Sequence, residues 1–204
     1  IYCSWLILEG SMVTACALLV VKGVIDAVDG ELARIRDKPS HVGRYWDTIA
    51  DSIGLFAVMC SFAVVLQWTP YVTGLIILAI LFQYSLFNYY SIAMRSLSLG
   101  DTTSRLDERT KPTAYPWEKQ STVNFFHRIY LLSFSWQDRI IAKLSGKGSE
   151  SLMFEFTFSS LLGFGFQSLI LLILALTEQL DHLPELVLLF NSAVMGAVLL
   201  RSRI

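Results

Sequence analysis

Four aspartates and one arginine carry the chemistry legible in this sequence. Asp26 and Asp29 stand three residues apart, Asp47 and Asp51 four apart, and Arg34 lies between the pairs. On helices, each spacing puts both carboxylates of a pair on one face. All four lie in otherwise apolar stretches, where a carboxylate is costly to keep and marks a site by default. Carboxylates that converge repel one another unless a cation neutralises them. An all-oxygen donor set suits Mg²⁺, Mn²⁺ or Ca²⁺, and Mg²⁺ is usually shared between carboxylates and substrate phosphates. Two such ions could bridge a diphosphate and stabilise both the attacking and the leaving oxygen. Arg34 offers a fixed donor fork matched to phosphate. Gly30 and Ala33 leave room for a ligand to approach the first helix, and Gly43 does the same at the foot of the second. A carboxylate not consumed by metal could act as general base on an alcohol. Together these residues specify metal-dependent phosphoryl-type chemistry at a membrane surface.

The elements that hold them are helices in an apolar solvent. The chain has 204 residues, 54% of them hydrophobic and 16% charged, with a mean hydropathy of +0.54. An ordinary soluble domain is more polar than that, and the charges here are clustered between long uncharged runs. A net charge of −1 excludes a nucleic-acid binder driven by bulk electrostatics. Cys3, Cys16 and Cys60 show no paired or metal-type spacing, so no redox role is assigned to them.

Apolar patterning predicts an all-α, polytopic membrane protein of one domain over residues 1–204. Residues 1–10 read as the remnant of a first span, closed by a turn at Glu9-Gly10. Spans follow at 11–36, 41–66, 71–94, 152–177 and 186–200, giving five transmembrane helices plus the remnant and six in an intact protein. The start at Ile1, already apolar and without a signal-peptide pattern, predicts a missing N-terminal segment. Ser40 is placed to cap the second long helix, and Gln67 to Pro70 form a tight turn. Residues 96–150 read as a solvated loop over 96–121, then an amphipathic helix over 122–144. In that helix Phe125, Ile129, Leu132, Trp136, Ile140 and Leu144 recur at helical spacing, which predicts a helix lying on the membrane surface rather than packed on the protein. Every Lys and Arg except Lys22 falls in the 34–44 link, in 95–150 or at the C-terminus. The positive-inside rule therefore turns these segments, and the aspartates near them, toward the cytoplasm. At 1.5 Å per residue, Asp29 and Asp26 lie about 7 and 12 Å from Arg34, while Asp47 and Asp51 lie about 6 and 12 Å from Gly43. The pairs reach matching depths, so facing helices would gather all four in one half-buried pocket.

The full pattern, D-x2-D-G-x2-A-R-x8-G-x3-D-x3-D, is filled by Asp26, Asp29, Gly30, Ala33, Arg34, Gly43, Asp47 and Asp51. It resembles the signature of the CDP-alcohol phosphotransferases, also called CDP-alcohol phosphatidyltransferases. The resemblance implies a six-helix enzyme of phospholipid biosynthesis, commonly a homodimer, in the plasma (inner) membrane with its active site toward the cytoplasm. Asp26, Asp29 and Asp47 would be ligands of two Mg²⁺ or Mn²⁺ ions. Asp51 would be the general base, also touching metal. A CDP-linked alcohol such as CDP-diacylglycerol would be the donor, with CMP leaving near Gly30, Ala33, Arg34 and Gly43. The rival chemistry is an aspartate-rich intramembrane prenyltransferase, and the non-catalytic rival is a membrane scaffold or transporter. Neither requires Gly30, Ala33, Arg34 and Gly43 at these spacings.

Lys22, one turn from Asp26, reads either as a local partner of that carboxylate or as a contact for a substrate phosphate or the acceptor alcohol. His41, His127 and His182 are expected in ordinary surface roles. Gln83, Asn88 and Asn191 are expected to hydrogen-bond between helices. Arg95, Arg128 and Arg139 read more simply as topology determinants than as a site for anionic headgroups or a phosphorylated acceptor.

Overall fold

Local punctuation in the sequence sets most of the helix ends. A computed structural model of the chain describes residues 1–35, 39–97, 110–145 and 152–202, all but the side chains of 33–35 and 97 among them. Helix α1 (Tyr2–Leu8) ends at a turn in which Gly10 takes φ +81°, and α2 (Met12–Ile35) follows. Helix α3 (His41–Val65) starts where Ser40 accepts a 2.9 Å hydrogen bond from the Gly43 N–H, the cap its sequence predicts. Gln67 closes that helix at φ +54°, and Pro70 opens α4 (Pro70–Leu97), where a missing N–H costs nothing. Beyond lie α5 (Gln120–Leu144), α6 (Met153–Ser160), α7 (Phe164–Leu176), a 3₁₀ turn (Leu180–His182), α8 (Leu183–Glu185), a π turn (Leu186–Phe190) and α9 (Asn191–Arg201). The described residues contain no strand.

Among the described residues, four helical stretches are long and apolar enough to cross a membrane: His41–Val65, Pro70–Ser96, Met153–Leu176 and Leu180–Arg201. The expected span at 11–36 is a helix of suitable length, 24 residues, but Lys22, Asp26, Asp29 and Glu31 make it too charged to join them. The last span begins six residues earlier than its apolar run suggests. Pro184 sits in the first turn of α8, where it initiates rather than breaks a helix, and the preceding 3₁₀ turn extends the run to Leu180.

The span expected over 152–177 is broken at residues 161–163. Gly163 caps α7 with extended backbone, and a Cβ there would meet the Phe87 ring and the Ser160 carbonyl at 3.1 Å. The Leu161 carbonyl freed by the break accepts a 2.6 Å hydrogen bond from Gln167 Nε2. Broken helices persist in an apolar medium when such freed groups find partners.

Packing positions the motif helices indirectly. Helix α1 lies against both α2 and α3, which make little direct contact with each other, while α7 packs closely along α2. Gly23 allows that approach: a Cβ there would already touch the Phe164 ring at 3.4 Å. One apolar core joins α1, α2, α3, α4, α7 and the turns before α9 through residues such as Ile7, Cys16, Phe62, Ile76 and Val187. A second joins α4, α5 and α9 through Leu86, Ile141, Leu162 and Val198.

Helix α5 departs from the reading of a helix set on the membrane surface and not on the protein. It packs on α3 and α4, burying Val123, His127, Tyr130, Gln137 and Ile141. The apolar stripe still faces outward, with Phe125, Leu132, Trp136 and Ile140 exposed. The buried face is the mixed polar one, because its tyrosine, glutamine and histidine find partners in the bundle.

Candidate active site

The motif aspartates sit on α2 and α3 across a gap, and one side chain spans it. Lys22 Nζ donates to Asp26 Oδ2 on its own helix and to Asp51 Oδ1 on α3, the latter at 2.7 Å. All three side chains are between two-fifths and one-half exposed. Lys22 also lies over the Phe164 ring, 4.9 Å from its centroid. The break before α7 is what puts Phe164, the first residue of that helix, at this place.

The matching depth of Asp26 and Asp51 is therefore met: one ammonium touches both. Asp47 lies within electrostatic reach of Asp51, Asp26, Lys22 and Asp29. Asp26 and Asp51 are each covered over about half of their side chains, in keeping with a half-buried pocket, and all four aspartates reach solvent. Among the described residues, no three acidic, His or Cys side chains are grouped closely enough to hold a metal ion. The ammonium of Lys22 stands between carboxylates of the two helices. The chemistry of the donor set is still that of a hard divalent ion: carboxylate oxygens from α2 and α3 both reach one cationic group.

Gly30 lies on α2 directly after Asp29, and Gly43 is exposed in the first turn of α3. The side chains of Ala33 and Arg34 fall outside the described residues, as do Arg36, Lys38, Arg105 and Arg109.

A cavity of about 710 Å³ opens beside these groups. Lys22, Asp47, Thr48 and Asp51 line one part of it, and Leu55, Val58, Met59, Ile80, Leu171 and Val187 another. Along α3 the lining runs from Trp46 to Met59, about 20 Å at the helical rise. The cavity thus has a charged region and an apolar one, the lining expected for an amphiphile.

Several cavity residues were not singled out from sequence. Tyr130, Phe134, Gln137 and Asp138 form a wall from α5, and Ser85 donates to Asp138 Oδ1 at 3.2 Å while Tyr130 OH donates to Asp138 Oδ2 at 3.2 Å. The only sequence signal was the alternate, polar face of that helix. Glu118 is a second case. Its Oε1 accepts from Ser40 Oγ at 2.8 Å and from the Val42 N–H at 2.9 Å, capping α3 from 78 residues away. Burial raises the Glu118 carboxyl, but hydrogen bonds from Val42, Ser40, His41 and Tyr115 outweigh it and hold the group below its ordinary value. Trp117 Nε1 donates to the Pro39 carbonyl at 3.0 Å, and Tyr115 stacks on His41 at 4.8 Å. Residues 112–119 are thus folded onto α3, not the solvated loop their polarity suggests.

His41 and His127 are buried, also against expectation: His41 lies under Tyr115, and His127 against Tyr45 at 5.7 Å. His182 is exposed beside Glu185. The inter-helix role expected of the amides holds for Gln83 and Asn191, described in the Discussion, while Asn88 lines the cavity.

The family model described as CDP-alcohol phosphatidyltransferase matches residues 1–146, from α1 through α5. No curated protein and no solved structure matches the chain.

Proposed function

The chain belongs to the CDP-alcohol phosphatidyltransferase family, membrane-associated transferases of substituted phosphate groups that act in phospholipid synthesis and generally depend on divalent metal, and from that premise we propose its reaction. The chain transfers the substituted phosphate of a CDP-alcohol, CDP-diacylglycerol in our reading, to the hydroxyl of an acceptor alcohol and releases CMP. One observation carries the proposal: Asp26 and Asp51, from two helices, converge on one cation beside a cavity with charged and apolar regions. A charged region for the diphosphate and an apolar one for a lipid portion match a CDP-lipid better than a small soluble nucleotide.

Asp26, Asp29, Asp47 and Asp51 would hold Mg²⁺ or Mn²⁺, two ions in our reading. Bound there, the metal would neutralise the diphosphate and the charge developing on its oxygens. Asp51 takes the proton of the acceptor hydroxyl, whose oxygen forms a bond to the β-phosphorus. The bond from that phosphorus to the bridging oxygen breaks, and CMP leaves with the bridging oxygen. Gly30, Ala33, Arg34 and Gly43 bind and orient the nucleotide and its phosphates. The basic segments near the motif support an orientation with this end of the bundle toward the cytoplasm. Membership of the family favours this reaction over prenyl transfer and over a scaffold or transporter role, and we extend it to a homodimer.

The test is Asp51→Asn in purified protein given CDP-diacylglycerol, an alcohol panel and Mn²⁺. CMP release should disappear while CDP-lipid binding survives. Full CMP release by the variant would remove the base assignment, and no CMP from the unaltered protein with any alcohol would remove the reaction.

A further inference from the structure

Lys22 is, among the described residues, the one Lys or Arg that lines the cavity, and both of its ion pairs are with motif carboxylates. Stabilisation of its own helix does not explain it, since a Lys placed four residues before an acid is the less favourable order. Its second partner, Asp51, belongs to a helix that α2 hardly touches. The side chain therefore spans a gap that backbone packing leaves open.

We propose that Lys22 is a built-in counter-cation of the carboxylate site, holding α2 to α3 until a divalent ion displaces it. The proposal rests on the metal-dependent reading above. Asp26 and Asp51 cannot give the same oxygens at full strength to an ammonium and to a divalent ion, and the two cations repel at such range. The ammonium sits on a flexible four-carbon stem, so it can swing aside while α2 stays in place. Phe164, under the ammonium, offers its ring face to the cation and favours the bridging position. Lys22 thus weakens metal binding and strengthens the metal-free protein, two effects of one charge.

The experiment compares the 204-residue chain with Lys22→Met and Lys22→Arg in detergent, without nucleotide or acceptor. Mn²⁺ binding is read by electron paramagnetic resonance of the free ion, and thermal unfolding is followed with chelator and with saturating Mn²⁺. Lys22→Met should bind Mn²⁺ at least about tenfold more tightly, the scale of removing one charge a few ångströms from the ion near a protein surface. It should melt lower than the unaltered protein in chelator and equally in Mn²⁺. Lys22→Arg, which keeps the charge, should resemble the unaltered protein in both. Recovery of folded Lys22→Met only when Mn²⁺ is present throughout would also support the proposal. Equal Mn²⁺ affinity in all three proteins overturns it and leaves the metal reading standing. Failure of Lys22→Met to fold even with Mn²⁺ overturns it too, because packing rather than charge would then be what the lysine supplies. No Mn²⁺ binding by any of the three removes the metal reading and this proposal together.

Discussion

Two polar clusters interrupt the apolar helices, and they are built on opposite principles. One is the amide cluster of α4, α7 and α9. Asn191 Nδ2 donates to Gln83 Oε1 at 3.2 Å and to Gln167 Oε1 at 2.9 Å, and Gln83 Nε2 donates to the Val187 carbonyl at 3.1 Å. Gln83 and Asn191 are each 1% exposed. The other is the carboxylate cluster of α2 and α3, half exposed, with a lysine as its cation. Neutral amides carry both donors and acceptors, so they saturate one another and can be sealed inside. Carboxylates only accept and repel one another, so a group of them gathers around a cation, and here the protein supplies a single flexible one. The first cluster fixes helices together. The second is arranged to exchange what it holds.

That contrast can be broken from either side. The largest effect is expected at Asp47→Asn, which should lower CMP release by at least about a hundredfold, by weakening charge stabilisation of the reacting phosphate, while leaving the melting temperature unchanged or slightly raised. Loss of stability together with activity would make the carboxylates structural. Asn191→Leu should do the reverse. It strands Gln83 and Gln167 in an apolar interior and should cost about 2 kcal/mol of unfolding free energy in detergent, with Mn²⁺ affinity intact. A variant that also carries Gln83→Leu and Gln167→Leu should recover part of that loss, and a further drop would show that the amides act independently.

The smallest effect is expected at Glu118→Gln, because the group is partly exposed and its charge is partly screened. The cap should contribute about 1 kcal/mol. Its carboxyl titrates below 4.5 when folded, so the contribution is fully present above pH 4.5 and is lost as pH falls through the folded value. The gap in melting temperature between the two proteins should close on acidification below pH 4.5. A gap that did not narrow at all as pH falls below 4.5 would assign Glu118 a role other than its charge.

What could be read from sequence follows from the cost of each feature. The aspartates were legible because charge in an apolar helix is expensive and helical spacing says which side chains share a face. The convergence of Asp26 and Asp51 followed from counting residues along two antiparallel helices. Lys22 was visible as a charge, but its second partner lies 29 residues away on another helix, beyond any local pattern. The Glu118 cap was hidden for the same reason. The break at Gly163 was hidden because a glycine in an apolar run is tolerated in a helix and gives no sign of which neighbour needs the space. Asp181, Pro184 and Glu185 resembled a loop because their composition does not distinguish a loop from the polar first turns of a helix.

The π turn at Leu186–Phe190 has a consequence for what changes the last helix can absorb. A π turn holds one residue more than an α turn, and Gln83 takes its hydrogen bond from a carbonyl inside it, that of Val187. Removing one of these five residues would let the turn relax to α, and because the wide turn already holds the extra residue, the helix after it would keep its face. Asn191 would still meet Gln83 and Gln167, while the Val187 carbonyl would turn to an ordinary helix hydrogen bond and away from Gln83. A lost codon in this turn is absorbed, whereas one lost just after it, in α9, is a change of helix face.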